Sequence, residues 1–156
     1  MLKTTTLLFA VVAILNAPAW ACSCMPMTPE ENFNLSAAVF SGTIVSLTLE
    51  STTQGMLHKA TVFVTGCWKG APLGFLTTVW TPETEDVCGI ETFALNQEWL
   101  FYAHSAGGLG GYLTHLCDRT QPMPMLQEDA DFLGASNCSP VSVDDVSWGR
   151  VKATYR

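Results

Sequence analysis

The side chains best suited to chemistry in this sequence are its six cysteines, all of which follow residue 21. They lie at Cys22, Cys24, Cys67, Cys88, Cys117 and Cys138. An even number of cysteines in a small exported chain is typical of a disulfide framework. A zinc site is the alternative, but no two cysteines have zinc-knuckle spacing, and Cys22 and Cys24 are too close for most such sites. We therefore expect three disulfides, whose pairing the spacing alone leaves open.

The other residues that could carry catalysis are dispersed. The three histidines are scattered, at His58, His104 and His115. Neither a G-x-S-x-G elbow nor an H-E-x-x-H helix occurs. The acidic cluster of Glu83, Glu85 and Asp86 has no histidine or basic residue nearby in sequence, which favours a solvated loop. We predict that the protein is not an enzyme, holds no metal of its own and needs no cofactor.

Residues 1–21 have the pattern of a secretory signal peptide. Lys3 is followed by an apolar run over 7–15, which is too short for a permanent membrane span. Ala19 and Ala21 provide the small-x-small ending and place the cleavage before Cys22. The sequence therefore predicts secretion, to the extracellular space or the periplasm. The alternatives are a buried N-terminal helix and a lipoprotein anchored at Cys22.

The lipoprotein alternative has less support in the residues before the cut. Lipidation usually requires an aliphatic residue three positions before the cysteine and a small residue two positions before it. Here those positions hold Ala19 and the bulky Trp20. We therefore expect no membrane anchor.

The composition argues against two classes of partner for the predicted exported chain, nucleic acids and anionic membranes. Seven basic residues, one of which is Lys3 in the predicted signal peptide, stand against fourteen acidic residues. The sequence has no basic run that could follow a phosphate backbone, so we expect no nucleic acid partner. The acidity also disfavours binding to anionic membranes. Residues 22–138 suit one domain, followed by a tail over 139–156, and we expect a monomer.

Hydrophobic alternation and turn residues predict a small β barrel. Thr28, Pro29 and two following acids predict a short helix that ends near Ser36. A second helix is predicted over 126–133, and Gly42 is expected at a bulge in the first strand. The glycine-rich segment 106–111 is expected to be a flexible hairpin tip. The strands are predicted over 38–49, 58–64, 76–80, 98–103 and 112–116. Five strands with two flanking helices favour an OB-fold-like barrel.

Three blocks of the sequence resemble blocks found in a known protein family. Residues 22–29 read Cys-Ser-Cys-Met-Pro-Met-Thr-Pro and are followed by Phe33. Residues 81–89 end in Val-Cys-Gly, and 99–103 with 112–118 form paired strands ending in a cysteine. In order and spacing, these blocks resemble the inhibitory N-terminal domain of the tissue inhibitors of metalloproteinases. The resemblance covers most of 22–138 and implies the netrin-like form of the five-stranded barrel.

The resemblance also implies which cysteines pair. In that family the first cysteine bonds the cysteine of the Val-Cys-Gly loop, and the third residue bonds the cysteine after the last strand. Here these pairs are Cys22–Cys88 and Cys24–Cys117. The sequence departs from the family at Asn34, where a cysteine is expected, and we expect no counterpart of the family's C-terminal domain after residue 138. The additional Cys67 is assigned to the remaining Cys138 by elimination.

The resemblance implies an inhibitor whose mature N-terminus chelates the zinc of a target protease. The amine and carbonyl of Cys22 would take the zinc's open position, so the zinc belongs to the partner. Ser23 would enter the protease's first primed pocket. The remaining cleft contacts would be Cys24, Met25, Pro26, Asp86, Val87 and Cys88. The alternative function is a secreted netrin-like protein-binding module without protease inhibition.

Overall fold

The computed structural model describes residues 22–138. The predicted signal peptide and the C-terminal tail lie outside the described residues. Short helices stand at either end of the strands: α1 (Pro29–Leu35) and α2 (Gln127–Leu133). The strands are β1 (Ala38–Thr52), β2 (Gly55–Lys69), β3 (Leu76–Pro82), β4 (Glu98–Ser105), β5 (Tyr112–Leu113) and β6 (Gln121–Pro122). Single 3-10 turns occur at Glu85–Val87 and Gly107–Leu109.

Five strands close into a ring, which confirms the predicted barrel. The sheet order is β1-β2-β3-β5-β4-β6, and an additional β1–β4 pairing joins the ends of the ring. The short β3–β5 pairing is parallel, whereas the other pairings are antiparallel. The protein is therefore mainly β, an OB-fold-like barrel with two flanking helices and three disulfides.

β1 changes partners along its length, and this divides it into a buried and an exposed half. Its first residues, from Ala38 to Thr43, lie between β2 and β4. Beyond Ile44 only β2 accompanies it, and the two strands continue as a hairpin to a turn at 53–54. The ladder shifts register between Ser41 and Gly42, so the predicted bulge is confirmed. A β-carbon at Gly42 would overlap Val62 and the Phe63 carbonyl.

Several strand boundaries in the prediction were wrong. β1 and β2 extend further than expected because they pair with each other beyond the barrel. β5 contains only two of its five predicted residues, since the chain leaves the ladder at Thr114 and follows the loop that carries Cys117. The sequence analysis missed β6, which is two residues long and pairs with β4. The predicted hairpin tip at 106–111 does join the antiparallel strands β4 and β5.

Aromatic residues fill the barrel, and a second cluster supports the helices. Phe40 and Phe101 are fully buried and stack with ring centroids 5.0 Å apart. On the outer side, Leu133 of α2 packs with buried residues of β1 and β4. α1 begins as predicted, because Thr28 Oγ1 accepts from the Glu31 amide while the Glu31 carboxylate accepts from the Thr28 amide.

The third disulfide, Cys67–Cys138, attaches the end of the described chain to β2. The amides of Asn137 and Cys138 both donate to the Cys67 carbonyl, at 3.0 and 3.2 Å. Three disulfides in one small domain indicate an oxidising environment. Across residues 22–138, neither helix has the length and apolar character needed to cross a membrane.

The bulge at Gly42 gives a stability test with an internal control. Gly42→Ala should lower the free energy of unfolding by about 1–3 kcal/mol, because the new methyl group meets Val62 and backbone in a packed interior. Gly108→Ala is the matched control, since no atom lies within 4 Å of its added β-carbon. It should change stability by less than about 0.5 kcal/mol in urea unfolding. Equal effects of the two substitutions would contradict the tight packing at Gly42.

Candidate functional site

The candidate site is built on the segment 22–28, which has no regular secondary structure and precedes α1. Two disulfides, here called the clamp disulfides, attach it to the barrel: Cys22–Cys88 and Cys24–Cys117. Their Cα atoms are 5.5 and 5.0 Å apart, so the segment lies directly against both loops. At its other end Thr28 caps α1. The segment is therefore fixed at both ends over only a few residues.

The loop that carries Cys88 is tightly built. The Thr84 carbonyl accepts from the amides of Val87 (3.2 Å) and Gly89 (2.8 Å), which closes the turn. Cys88 takes a left-handed conformation with φ of 63°, an unusual backbone for a residue with a side chain. Gly89 has no room for a β-carbon, because the Pro82 carbonyl oxygen occupies that space. These constraints fix the direction in which the Cys88 sulfur points.

The loop that carries Cys117 is held by a carboxylate. Asp118 accepts from the His115 amide at 2.8 Å and contacts His104 Nε2 at 3.1 Å. Burial alone would raise the pKa of Asp118, but hydrogen bonds from His115 and the neighbouring His104 hold the pKa below its ordinary value. The Leu116 amide donates to the Cys88 carbonyl at 2.7 Å. The two loops that hold the segment are thus also bonded to each other.

Behind the loops, a buried ion pair ties the segment to α2. The Asp129 carboxylate is fully buried and accepts from Arg119, from the Tyr102 hydroxyl at 2.8 Å and from Gln121 at 2.7 Å. Burial raises the pKa of Asp129, but hydrogen bonds from Arg119, Tyr102 and Gln121 outweigh burial and lower it. Arg119 also donates to the Met27 carbonyl at 3.0 Å. Arg119 therefore connects Asp129 of α2 to Met27, near the end of the segment 22–28.

The outer surface of the site is exposed and partly apolar. We call Met25, Val87 and Leu116 the apolar ridge; their exposed fractions are 81%, 58% and 45%. Ser23, Cys24 and Pro26 are also exposed, as is Asp86, whereas Cys22 and Cys88 are half-buried. Exposed apolar residues around a fixed segment are typical of a protein-binding surface.

The clamp disulfides bring together the predicted site residues from two distant parts of the sequence. The Cys22–Cys88 bond joins the first residue of the segment 22–26 to the predicted loop 86–88. The sequence analysis missed Leu116 and Arg119. Leu116 was placed in a strand, although its position beside Cys117 puts it next to the site. Arg119 is the sole basic residue between Lys69 and Arg150, which is the signal that could have identified it.

A shallow cleft lies on each side of the site. One, of about 350 Å³, runs between the segment and the Leu116–Arg119 stretch. The buried Asn32 forms part of its lining. The other, of about 390 Å³, lies between the tip of the β1–β2 hairpin, Val87 and His115. Met25 and Leu116 of the apolar ridge line the first cleft, and Val87 lines the second.

A scan against models of protein families finds no match to the chain, and a search of curated proteins finds none.

The buried ion pair predicts how stability depends on pH. Because the pKa of Asp129 is lowered in the folded protein, the stability it provides is present at neutral pH and is lost as the pH falls through that lowered value. Asp129→Asn should cost about 3 kcal/mol at neutral pH, since it leaves Arg119 without its buried partner. Its unfolding free energy should then fall less on acidification than that of the wild type.

The control for this prediction is Asp131→Asn on the same helix. Asp131 is exposed and accepts a hydrogen bond from the Gln127 side chain. It should change stability by less than about 0.5 kcal/mol and leave the pH dependence intact. Urea unfolding from pH 7 to pH 3 measures both. Parallel pH profiles for wild type and Asp129→Asn would contradict the role assigned to this carboxylate.

Proposed function

We propose that the protein is a secreted inhibitor of zinc metalloproteases that acts through its mature N-terminus. Cleavage before Cys22 would free its α-amine. The amine and the carbonyl of the same residue can close a five-membered chelate on zinc. Catalytic zinc in a protease keeps one position open for water or substrate, and Cys22 would occupy it. The zinc and any catalytic machinery belong to the partner.

The observation that carries this proposal is the attachment of residues 22–24 to the barrel at two adjacent points. A segment that is already ordered loses little conformational entropy when it binds, so more of its contact energy appears as affinity. A protease cleft binds extended chains, and the segment is the part of the described chain that is both exposed and fixed in this way. The Cys22 sulfur is in a disulfide, so the proposed zinc ligands are its main-chain atoms.

The apolar ridge offers contact area for a protease next to the proposed chelate. Beside the chelating residue, Ser23 is exposed and available to the first primed pocket. Met25 lies along the same exposed segment, and Val87 is exposed on the loop bonded to Cys22. A few residues near the centre of an interface contribute most of its binding energy. In the proposal, the chelate sets the position of the complex and the ridge supplies area around it.

The amine gives the proposal its sharpest test. An alanine added before Cys22, or acetylation of the Cys22 amine, should abolish inhibition of zinc proteases, because both changes block the chelate and place bulk at the zinc. The melting temperature should stay close to that of the wild type, since the clamp disulfides and barrel do not use the amine. Inhibition constants over a panel of zinc proteases, with thermal unfolding, measure both effects.

The matched control is a chain with one alanine added after Arg156, which has the same composition and an unchanged N-terminus. It should inhibit like the wild type. If the N-terminally extended form inhibits equally well, the chelate mechanism is wrong. Inhibition by the wild type should also weaken as the pH falls, because a protonated amine cannot bind zinc and each pH unit below its pKa costs about 1.4 kcal/mol.

Ser23 gives an independent prediction about selectivity. Ser23→Gly should weaken inhibition of most proteases, because it removes the side chain that enters the pocket and loosens the backbone. Ser23→Leu should favour proteases with a deep first primed pocket over those with a shallow one. Inhibition constants for the three forms across the panel test this. Identical selectivity in all three would place Ser23 outside the interface.

The second candidate is a secreted netrin-like module that binds a protein without contacting zinc. The exposure of Met25, Val87 and Leu116 favours it as well, because an apolar ridge can serve any protein partner. The amine discriminates between the two candidates, since a module of this kind does not need a free Cys22 terminus. If no form of the protein inhibits any protease of the panel, this candidate becomes the better account.

A further inference from the structure

The β1–β2 hairpin has a free strand edge in the part of the chain that the structure describes. Residues 46–52 of β1 pair with 55–61 of β2 in an unbroken register. On its other side β1 pairs with β4 only as far as Thr43, and Ile44 bonds to the loop before β4. Within residues 22–138, the outer edge of β1 over 46–52 therefore has no partner strand.

The turn of the hairpin decides which main-chain groups face this edge. Thr52 and Gly55 pair across a two-residue turn. The residues that flank such a turn bond to each other, and successive pairs of an antiparallel ladder alternate between bonded and non-bonded. Leu47, Leu49 and Ser51 are therefore in the non-bonded pairs, and their amides and carbonyls point to the outer edge of β1.

The edge lacks the features that commonly prevent strands from pairing. Proline, lysine and β-bulges block exposed strand edges in many proteins. Residues 46–52 contain no proline and no lysine, and their register has no bulge. Their one charged side chain, Glu50, is paired with Lys59 of β2, with Oε1 and Nζ 3.1 Å apart. Leu49 is 44% exposed, so a partner strand would also cover apolar surface.

A second copy of this chain fits the edge. When two β1 strands run antiparallel about a two-fold axis at Thr48, Leu47 of one copy lies opposite Leu49 of the other. Both residues point their main-chain groups outward, so each such pair can exchange two hydrogen bonds. Thr48 then faces Thr48 of the other copy, and Glu50 faces Ser46. Apolar side chains therefore meet apolar ones, threonines meet at the axis, and no like charges are opposed.

We propose that two copies of the protein form a dimer by pairing their β1 edges antiparallel about Thr48. A monomer is expected from the sequence, and the dimer departs from that expectation because the hairpin extends β1 beyond the barrel. One strand pair is small beside the about 1,200–2,000 Å² that stable interfaces bury, so the dimer should dissociate on dilution. The proposal does not depend on the inhibition of a protease.

Sedimentation velocity of the protein, from micromolar to millimolar concentration, measures dimerisation. We expect the wild type to change from monomer to dimer over this range. Thr48→Lys should weaken dimerisation about tenfold or more, because it opposes two lysines at the axis. Thr53→Lys is the matched control, since it introduces the same exposed side chain in the turn of the same hairpin, outside 46–52. It should dimerise like the wild type.

A charge-reversed pair of variants makes the position of the axis specific. Thr48→Glu should also fail to dimerise alone, whereas an equimolar mixture of Thr48→Lys and Thr48→Glu should form mixed dimers, because opposite charges then meet. In the wild type, the amides of Leu47, Leu49 and Ser51 should exchange hydrogen quickly in dilute protein and slowly in concentrated protein. The proposal is overturned by a wild type that stays monomeric up to millimolar concentration, or by a Thr48→Lys variant that dimerises like the wild type. Slow exchange of the three amides in dilute protein would overturn it as well, because the edge would then be covered by the chain itself.

Discussion

The organisation of this protein depends on the attachment of one short segment to the edge of a closed barrel. The clamp disulfides hold residues 22–24 against two loops that are far apart in sequence. Each bond closes a long loop, so each restricts the unfolded chain and can contribute a few kcal/mol of stability. The same bonds decide where the segment lies and which residues flank it. Without these bonds, the segment 22–28 would not be fixed beside the apolar ridge.

Closure of the barrel fixes the positions of the loops that carry Cys88 and Cys117, to which the segment is attached. The β1–β4 pairing completes the ring, and the short parallel β3–β5 pairing brings the chain after β5 beside the chain after β3. Cys88 and Cys117 lie on these two stretches, which are then bonded directly through the Leu116 amide and Cys88 carbonyl. The Arg119–Asp129 pair connects the arrangement to α2. Arg119 thus connects α2 to the site, since it also donates to the Met27 carbonyl.

Local signals made much of the fold predictable, and long-range contacts made the rest unpredictable. Thr28 and Pro29 define the start of α1 by local hydrogen bonding, and Gly42 marks a bulge because a side chain would collide there. The short β6 and the early end of β5 depend on tertiary contacts that no local pattern encodes. The positions of the cysteines in the sequence were enough to predict most of the site residues. Leu116 and Arg119 have signals in the sequence, but what each one contacts depends on distant segments: Leu116 bonds to Cys88, and Arg119 to Met27 and Asp129.

The proposed function requires that cleavage before Cys22 turn the fixed segment into the N-terminus of the protein. N-terminal sequencing and intact mass of the protein, recovered from the medium of an expressing cell, test this requirement most directly. We predict a chain that begins at Cys22 with an unmodified amine and has a mass corresponding to three disulfides. A chain that begins even one residue earlier, or whose Cys22 amine carries an acyl group, would contradict the proposed action on zinc.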